Sequence, residues 1–321
     1  MTSFPVGYMI LRTEDFGQRR PVLVDVWYPA SPAATELPYN YGLGHGHVAV
    51  SADAADSVWP VIVLSHGAFG AARNYSWIAE HLARHGYLVG GVSHYGESYL
   101  YGPETVAPAS VLHPGLRPQD CSFVLDYLMS QAPFQRLIDA ARIGALGHSS
   151  GGTTALALGG AVFDSRAMQQ YCASAAACQD KGCAYARHAP PRSLPRPAAP
   201  RAYRDERVKA VVALDPALGP GYDARALSMV SVPVHVVGAV QNDFLPFVHH
   251  AGRFARLIPG ASLTQLTQGE GHFIFLDECD ADLEAHGVPL CRDRAGVHRA
   301  RVHAHLKAII QRFFDTHLRA P

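Results

Sequence analysis

The stretch ARIGALGHSSGGTTALALGG, residues 141–160, indicates how this chain folds. A short apolar run passes into a series of small residues, and the pentapeptide GHSSG (147–151) lies where they meet. In a G-x-S-x-G pattern of this kind, a strand turns sharply into a helix and holds the central serine in a strained, exposed position. Gly147 and Gly151 would let the two segments pass closely. The stretch predicts that Ser149 is a nucleophile; the alternative is a glycine-rich turn without chemistry.

Apolar runs alternate with helical stretches along most of the chain. The runs are VIVLS (61–65), YLVGGVS (87–93), ARIGALG (141–147), VKAVVALD (208–215), VPVHVVGA (232–239) and the weaker SLTQL (262–266). Such continuous runs are typical of parallel strands that are buried on both faces. Helical spacing is found in 71–85, 118–131, 150–162, 248–258 and 297–318. The alternation predicts one α/β domain over residues 1–321, with a mostly parallel sheet between two helical layers.

Three segments depart from this alternation. Two β-branched and aromatic stretches between Val6 and Tyr28 predict an antiparallel strand pair, and residues 29–58 are expected to be loop. Residues 163–206 carry three cysteines and a Pro- and Arg-rich stretch that suits neither a helix nor a central strand. This insertion, between the helix after Ser149 and the next strand, is expected to be a surface excursion or a lid over the site.

A serine nucleophile needs a base, and an acid to orient that base. His272 lies in a Gly-flanked turn after the last predicted strand, which satisfies the chain order serine, acid, histidine. Two acids fit between them. Asp215 follows VKAVVAL at a strand end, and Asp243 follows the next strand, VPVHVVGA. Position alone leaves both acids open.

An oxyanion formed at Ser149 would need two backbone N–H donors. The expected donors are the amides of Ser150, at the start of the helix, and Ala68, in the loop HGAFG (66–70). The other histidines that we considered, His45, His47, His66, His148, His249 and His250, are interpreted as surface or structural residues. No metal or other cofactor is expected. Residues that could line an apolar pocket or belong to the core are Phe69, Trp77, Tyr95, Tyr99 and Phe244.

The charge balance argues against a nucleic-acid partner. Lys and Arg together number 27, equal to Asp and Glu, so the formal net charge is zero and there is no basic field to gather phosphates. No apolar run approaches the roughly 18 residues that are needed to cross a bilayer. The N-terminal residues lack the pattern of a secretory signal, which predicts a cytoplasmic location for the chain as given.

The cysteines, by contrast, favour an oxidising compartment. Three are clustered and two more flank a short segment, which suits disulfides in a secreted or periplasmic protein whose signal was trimmed. The alternative is reduced thiols that pack as small apolar side chains. The cysteines concerned are Cys172, Cys178, Cys183, Cys279 and Cys291, and Cys121 stands alone.

The chain resembles a family at four places: VIVLSHGAFGAARNYSWIAEHLARHGYLV (61–89), GALGHSSGG (144–152), VVALDPALG (211–219) and GEGHFIFL (269–276). It is similar, over about residues 6–318, to the bacterial "predicted dienelactone hydrolase" group of the α/β-hydrolase superfamily. That group is related to platelet-activating-factor acetylhydrolases, chlorophyllases and cutinase-like polyester hydrolases. The resemblance implies the α/β-hydrolase fold. The ALDPA motif favours Asp215 as the acid over Asp243, since the cutinase-like acid position falls on Asn242.

The function expected from these observations is hydrolysis of carboxylic esters through an acyl-enzyme on Ser149. Short acyl, aryl or polyester-type esters are the expected substrates, small or polymeric. Dienelactone hydrolases proper use a cysteine where this chain has Ser149, so the group's name does not give the substrate. The alternatives are an acyltransferase or thioesterase that uses the same three residues, and a non-catalytic ligand-binding relative.

Overall fold

A ten-stranded sheet forms the centre of the computed structural model, which describes residues 3–112, 114–131, 133–185 and 201–319. Its spatial order is β10-β9-β8-β7-β5-β6-β2-β1-β4-β3. The strands are β1 Val6–Asp15, β2 Arg20–Pro29, β3 Leu37–Asn40, β4 His45–Val50, β5 Trp59–Ser65, β6 Leu88–Ser93, β7 Ile138–His148, β8 Val208–Leu214, β9 Val234–Ala239 and β10 Ser262–Leu266.

The predicted parallel sheet is confirmed. Strands β6, β5, β7, β8, β9 and β10 pair in that order, and each pair is parallel. All seven residues of β5 and all six of β9 are buried, as their unbroken apolar runs predict. The carboxyl ends of these strands meet at one edge, where ligands bind in sheets of this kind. Ser149, Asp215 and the 66–70 loop follow directly from β7, β8 and β5.

Helices cover both faces of the sheet. They are α1 Ser76–Arg84, α2 Leu116–Ser130, α3 Ser150–Leu158, α4 Ser165–Cys172, α5 Ala224–Ser228, α6 Ala251–Leu257 and α7 Arg299–Leu318. Helices α2 and α3 pack into one buried cluster, which includes Leu125 and Leu156. Helices α1 and α7 pack into the other, which includes Leu82 and Phe314. The sheet therefore lies between two apolar layers.

The N-terminal part contains one confirmed prediction and one correction. Strands β1 and β2 form the predicted antiparallel pair, and β2 joins them to β6. Residues 29–58, however, are not simply loop: β3 and β4 lie at the edge of the sheet, with β4 parallel to β1. Edge strands need little apolar sequence, and most of the residues of β3 and β4 are exposed or half-buried, which is why the pattern missed them.

Two disulfides join the cysteine pairs. Cys172 bonds to Cys183 in the 163–206 segment, and Cys279 bonds to Cys291 around a two-stranded hairpin, β11 Glu284–Ala285 and β12 Val288–Pro289. Cys121 and Cys178 are free thiols. Residues 186–200 of the predicted insertion lie outside the described residues. Disulfides of this kind favour an extracellular or otherwise oxidising location.

None of the helices in the described ranges combines the length and apolarity that crossing a membrane requires.

Candidate active site

Ser149 occupies the turn between β7 and α3 in an unusual backbone conformation. Its φ is 57° and its ψ is −120°, a region that side-chain-bearing residues rarely adopt. The surrounding backbone holds it there: its amide donates to the Leu214 carbonyl at 2.9 Å, and its carbonyl accepts from the Ala217 amide at 3.1 Å. Strain that is maintained by neighbouring segments is characteristic of functional positions.

The two flanking glycines are required by close backbone contacts. A Cβ on Gly147 would lie 2.1 Å from the Gly151 carbonyl oxygen, and a Cβ on Gly151 would lie 1.9 Å from the Ser65 carbonyl oxygen. Both separations are far below a normal contact distance. These positions therefore admit glycine alone without a shift of the strands, as the G-x-S-x-G interpretation expects.

His272 begins a single turn of 3₁₀-helix, and its ring lies between Ser149 and Asp215. Its Nε2 is 3.0 Å from the Ser149 Oγ, and its Nδ1 is 2.5 Å from the Asp215 Oδ2. A carboxylate can only accept, so Nδ1 carries the proton and Nε2 is left to accept from the serine hydroxyl. The Phe244 ring stacks on the imidazole, with centroids 5.2 Å apart, and restricts its rotation.

Burial sets the electrostatics of this pair. It lowers the pKa of the His272 imidazole below its ordinary range, so that the ring is neutral at neutral pH and can take a proton. Burial also raises the pKa of the Asp215 carboxyl. Hydrogen bonds from the Asn242 side chain and the Ala239 amide oppose that shift by stabilising the carboxylate.

The two candidate acids occupy different positions around His272. Asp215 contacts the ring, whereas the Asp243 Oδ1 accepts from the backbone amide of His272 at 2.9 Å and its Oδ2 lies 3.4 Å from Arg294. Asp243 therefore holds the turn that carries the histidine. Asn242, the cutinase-like acid position, donates its side-chain amide to Asp215. The structure brings Asp215, not Asp243, to the imidazole of His272.

The two expected oxyanion donors lie on either side of the serine. Ser150 is the first residue of α3, so its amide has no acceptor in the preceding turn of the helix. In the 66–70 loop the Gly67 amide donates to the Tyr75 hydroxyl at 2.9 Å, and Phe69 has a φ of 59°. Among the described residues no backbone acceptor pairs with the amide of Ala68. The loop thus leaves that amide available.

A cavity of about 680 Å³ opens above Ser149 and is mostly apolar. Its aromatic and aliphatic lining includes Phe69, Tyr99, Met168, Tyr185, Phe244, Leu245, Phe273, Leu276, Leu283 and Leu290. Two of the expected pocket residues are not in this lining. Trp77 instead stacks on His303 at 4.0 Å, and Tyr95 packs against Tyr101 at 5.3 Å. Both residues are close in sequence to the predicted site, but their side chains pack elsewhere in the fold.

Both disulfide-bonded segments contribute to the cavity wall. The segment closed by Cys172–Cys183 precedes Tyr185, and the hairpin closed by Cys279–Cys291 carries His286. The rings of Tyr185 and His286 are 4.6 Å apart, so the two segments meet above the cavity. Each of these two segments is closed on itself by one disulfide.

Of the six other histidines considered above, His66 is buried and His249 is half-buried. His45 and His47 are exposed, and His250 is buried with its Nε2 2.7 Å from the Asp180 Oδ2. His148 is buried between Tyr75 and the His272 carbonyl. Within the described ranges, no group of three or more His, Cys, Asp or Glu side chains is arranged to hold a metal ion.

A second Ser–His–Asp arrangement, which sequence reasoning missed, lies beneath the 66–70 loop. Ser65 Oγ is 2.8 Å from His94 Nε2, and His94 Nδ1 is 2.9 Å from Asp120 Oδ2. These three residues, called here the buried constellation, come from β5, the end of β6 and α2. No local motif marks them, because only the fold brings them together.

Comparison with known proteins agrees with this architecture. Residues 39–103, which include the 66–70 loop, match the family model of platelet-activating factor acetylhydrolase, isoform II. No curated protein matches the chain. The chain is similar to the structure of a ferulic acid esterase from Streptomyces cinnamoneus, with a TM-score of 0.65 and 23% identity over 98% of this chain and 91% of that one. The overall fold is thus similar to that of this esterase, and the similarity to the platelet-activating factor acetylhydrolase model covers residues 39–103.

Proposed function

We propose that this protein is a serine hydrolase that cleaves carboxylic esters, with Ser149 as nucleophile, His272 as base and Asp215 as the acid that orients it. The observation that carries the proposal is the position of Ser149. Its strained backbone places the hydroxyl 3.0 Å from the neutral Nε2 of His272, at the floor of an apolar cavity. A serine hydroxyl becomes a useful nucleophile when such a base is within hydrogen-bond reach.

The reaction would proceed in two halves. His272 takes the hydroxyl proton as the Ser149 Oγ attacks the ester carbonyl, and the amides of Ala68 and Ser150 stabilise the oxyanion. Collapse of this intermediate breaks the bond to the alcohol, which leaves with the proton from His272. Water then attacks the acyl carbonyl as His272 takes a proton from it; the bond to the Ser149 Oγ breaks, His272 returns the proton to that oxygen, and the acid product is released. Asp215 stays ionised and stabilises the imidazolium in both halves.

The lining of the cavity indicates the class of substrate. No Lys or Arg is among its described lining residues, so the substrate part that it holds need carry no negative charge, and its aromatic side chains suit a planar or hydrocarbon group. We infer a neutral ester with an aryl or apolar acyl part. The similarity to a ferulic acid esterase supports aryl esters, and the match to acetylhydrolases supports short acyl groups.

The experiment is hydrolysis of p-nitrophenyl esters from acetate to palmitate, together with methyl ferulate, by wild type and Ser149→Ala. Loss of the nucleophile from a comparable site costs about 10⁶ in kcat. The matched control is Ser165→Ala, since the buried Ser165 hydroxyl has no hydrogen-bond partner among the described residues. Wild-type turnover that collapses only in Ser149→Ala supports the proposal. An inactive wild type, or an active Ser149→Ala, refutes it.

A further inference from the structure

We propose that Tyr75 is a positioning residue whose hydroxyl fixes the 66–70 loop relative to the base of the reaction. This inference rests on the proposed function, because it assigns the Ala68 amide to the oxyanion. It concerns a separate question, namely what holds that amide in place. Tyr75 lies in the 3₁₀ turn that precedes α1.

A continuous chain of hydrogen bonds passes through the Tyr75 hydroxyl. The Gly67 amide donates to it at 2.9 Å, and the hydroxyl lies 2.9 Å from the Nδ1 of His148. The Nε2 of His148 lies 3.0 Å from the backbone carbonyl oxygen of His272. The chain therefore joins three segments of the site: the loop that contains Ala68, the residue before Ser149, and the turn that carries the base.

The protons along this chain can be assigned. The His272 carbonyl can only accept, so the Nε2 of His148 carries a proton. Burial lowers the pKa of His148 and keeps its ring neutral, which leaves Nδ1 as an acceptor. The Tyr75 hydroxyl must then donate to Nδ1 while it accepts from Gly67. Since its only proton is committed to His148, the hydroxyl is not free to donate to a substrate oxyanion.

Through the Gly67 amide, the Tyr75 hydroxyl affects the Ala68 amide, which is the expected oxyanion donor. Gly67 directly precedes Ala68, so an anchored Gly67 amide restricts the direction in which the Ala68 N–H points. Tyr75 and His148 are each only 2% exposed, so water has little access to replace the hydroxyl. Without it, the Gly67 amide and the His148 Nδ1 would both be buried without a partner, and the loop would shift to satisfy them.

The test is Tyr75→Phe, which removes a single oxygen atom. The matched control is Tyr222→Phe, because Tyr222 is also fully buried and its hydroxyl has no hydrogen-bond partner among the described residues. Complete loss of an oxyanion donor costs about 10²–10³ in kcat, so a displaced donor should cost roughly 10- to 100-fold. We expect kcat to fall by that factor in Tyr75→Phe with KM within about twofold, and Tyr222→Phe to match wild type.

The inhibition constant of a trifluoromethyl ketone is a second measurement, which a purely structural role of Tyr75 would leave unchanged. The ketone forms a tetrahedral adduct on the serine, so its inhibition constant should rise in Tyr75→Phe by about the same factor by which kcat/KM falls. His148→Phe provides a second route, since it removes the ring nitrogens while Tyr75 stays. Combined with Tyr75→Phe, it should add much less than its effect alone.

Three results would overturn the inference: kcat unchanged in Tyr75→Phe, an unchanged inhibition constant alongside a lower kcat, or multiplicative effects in the double variant. None of these would affect the proposed function as long as Ser149→Ala abolishes turnover. Conversely, an active Ser149→Ala would refute the proposed function whatever Tyr75→Phe does.

Discussion

The protein contains two Ser–His–Asp arrangements with nearly the same hydrogen bonds. In the cavity constellation, Ser149, His272 and Asp215, the serine-to-histidine distance is 3.0 Å and the histidine-to-aspartate distance is 2.5 Å. In the buried constellation, Ser65, His94 and Asp120, the corresponding distances are 2.8 and 2.9 Å. All six side chains are buried, and burial lowers the pKa of both histidines. Connectivity and burial therefore do not distinguish them.

The surroundings of the two serines distinguish the two constellations. Ser149 lines the cavity in a left-handed conformation beside a helix N-terminus, whereas Ser65 is a regular residue of β5 that is paired with both β6 and β7. The Ser65 hydroxyl also accepts from Arg117 at 3.3 Å, and Asp120 is bound by Arg20 at 3.1 Å. Arg117 thus occupies the hydroxyl that a substrate would need to approach.

Three residues in hydrogen-bond contact do not by themselves make a nucleophile. Ser149 lines the cavity and lies in a strained turn, whereas Ser65 is not among the described residues that line the cavity and lies in a regular strand. We interpret the buried constellation as support for the end of β5. Arg117, which bonds to Ser65, also donates to the His66 carbonyl at 2.6 Å and so holds the start of the 66–70 loop.

The largest expected difference concerns the two aspartates as catalytic groups. In Asp215→Asn the partner of His272 Nδ1 can no longer enforce the required tautomer, and a comparable change in another triad costs about 10⁴ in kcat. Asp120→Asn should keep kcat per folded molecule within about tenfold of wild type. Steady-state ester hydrolysis, with the folded fraction measured by circular dichroism, checks both variants. Similar losses in the two variants would contradict the distinction drawn here.

We expect the free energy of unfolding to fall more for a change at Asp120 than for a change at Asp215. Asp120→Ala removes the partner of Arg20 and His94 at once, and breaking a buried ion pair in this way costs about 3–5 kcal/mol of the free energy of unfolding. Asp215→Asn keeps the shape and most contacts and should cost clearly less. Urea unfolding of both variants measures the difference. If Asp215→Asn were the more destabilised, the buried constellation would lose its assigned role as support.

The other acid near His272 should have a small effect. Asp243 accepts from the His272 amide, and the side-chain oxygen of an asparagine can accept the same hydrogen bond. Asp243→Asn should therefore keep kcat within about threefold of wild type. A loss comparable to that of Asp215→Asn would mean that Asp243, and not Asp215, serves as the acid during turnover.

The smallest expected effect is on pH dependence. Because burial lowers the pKa of His272, kcat/KM should be flat at neutral pH and should fall with an apparent pKa below the ordinary histidine value of about 6.5. The Asp243 carboxylate favours the imidazolium, so Asp243→Asn should move this fall to still lower pH. Ser65→Ala should leave it in place. If this fall moved in Ser65→Ala, the buried constellation would influence the pKa of His272, contrary to this account.

Much of the architecture follows from local sequence, and much of the site does not. The apolar runs predict the parallel strands, and the GHSSG turn together with the chain order singles out Ser149 and His272. Asp215 and Asp243 each follow a strand end, so position alone leaves both open. The resemblance of the ALDPA motif favours Asp215, and the packing of β8 and β9 around His272 separates the two in space. Their catalytic roles stay predictions until the variants are measured.

What the sequence could not indicate depends on distant contacts. Tyr75 and His148 are 73 positions apart and meet only in the folded chain. The same is true of the buried constellation, whose members lie on three elements. The edge strands β3 and β4 were missed for a different reason, because a half-exposed edge needs no apolar periodicity. Long-range polar contacts and sheet edges are thus where local pattern carries the least information.

The most direct test of the central difference is to label the active protein with a fluorophosphonate and map the adduct by peptide mass spectrometry. A fluorophosphonate reacts with a serine that is both activated and accessible. We expect one adduct per chain, on Ser149, that appears as esterase activity is lost, and no adduct on Ser65. An adduct on Ser65 or another serine, or full loss of activity without modification of Ser149, would contradict the assignment of Ser149 as the nucleophile.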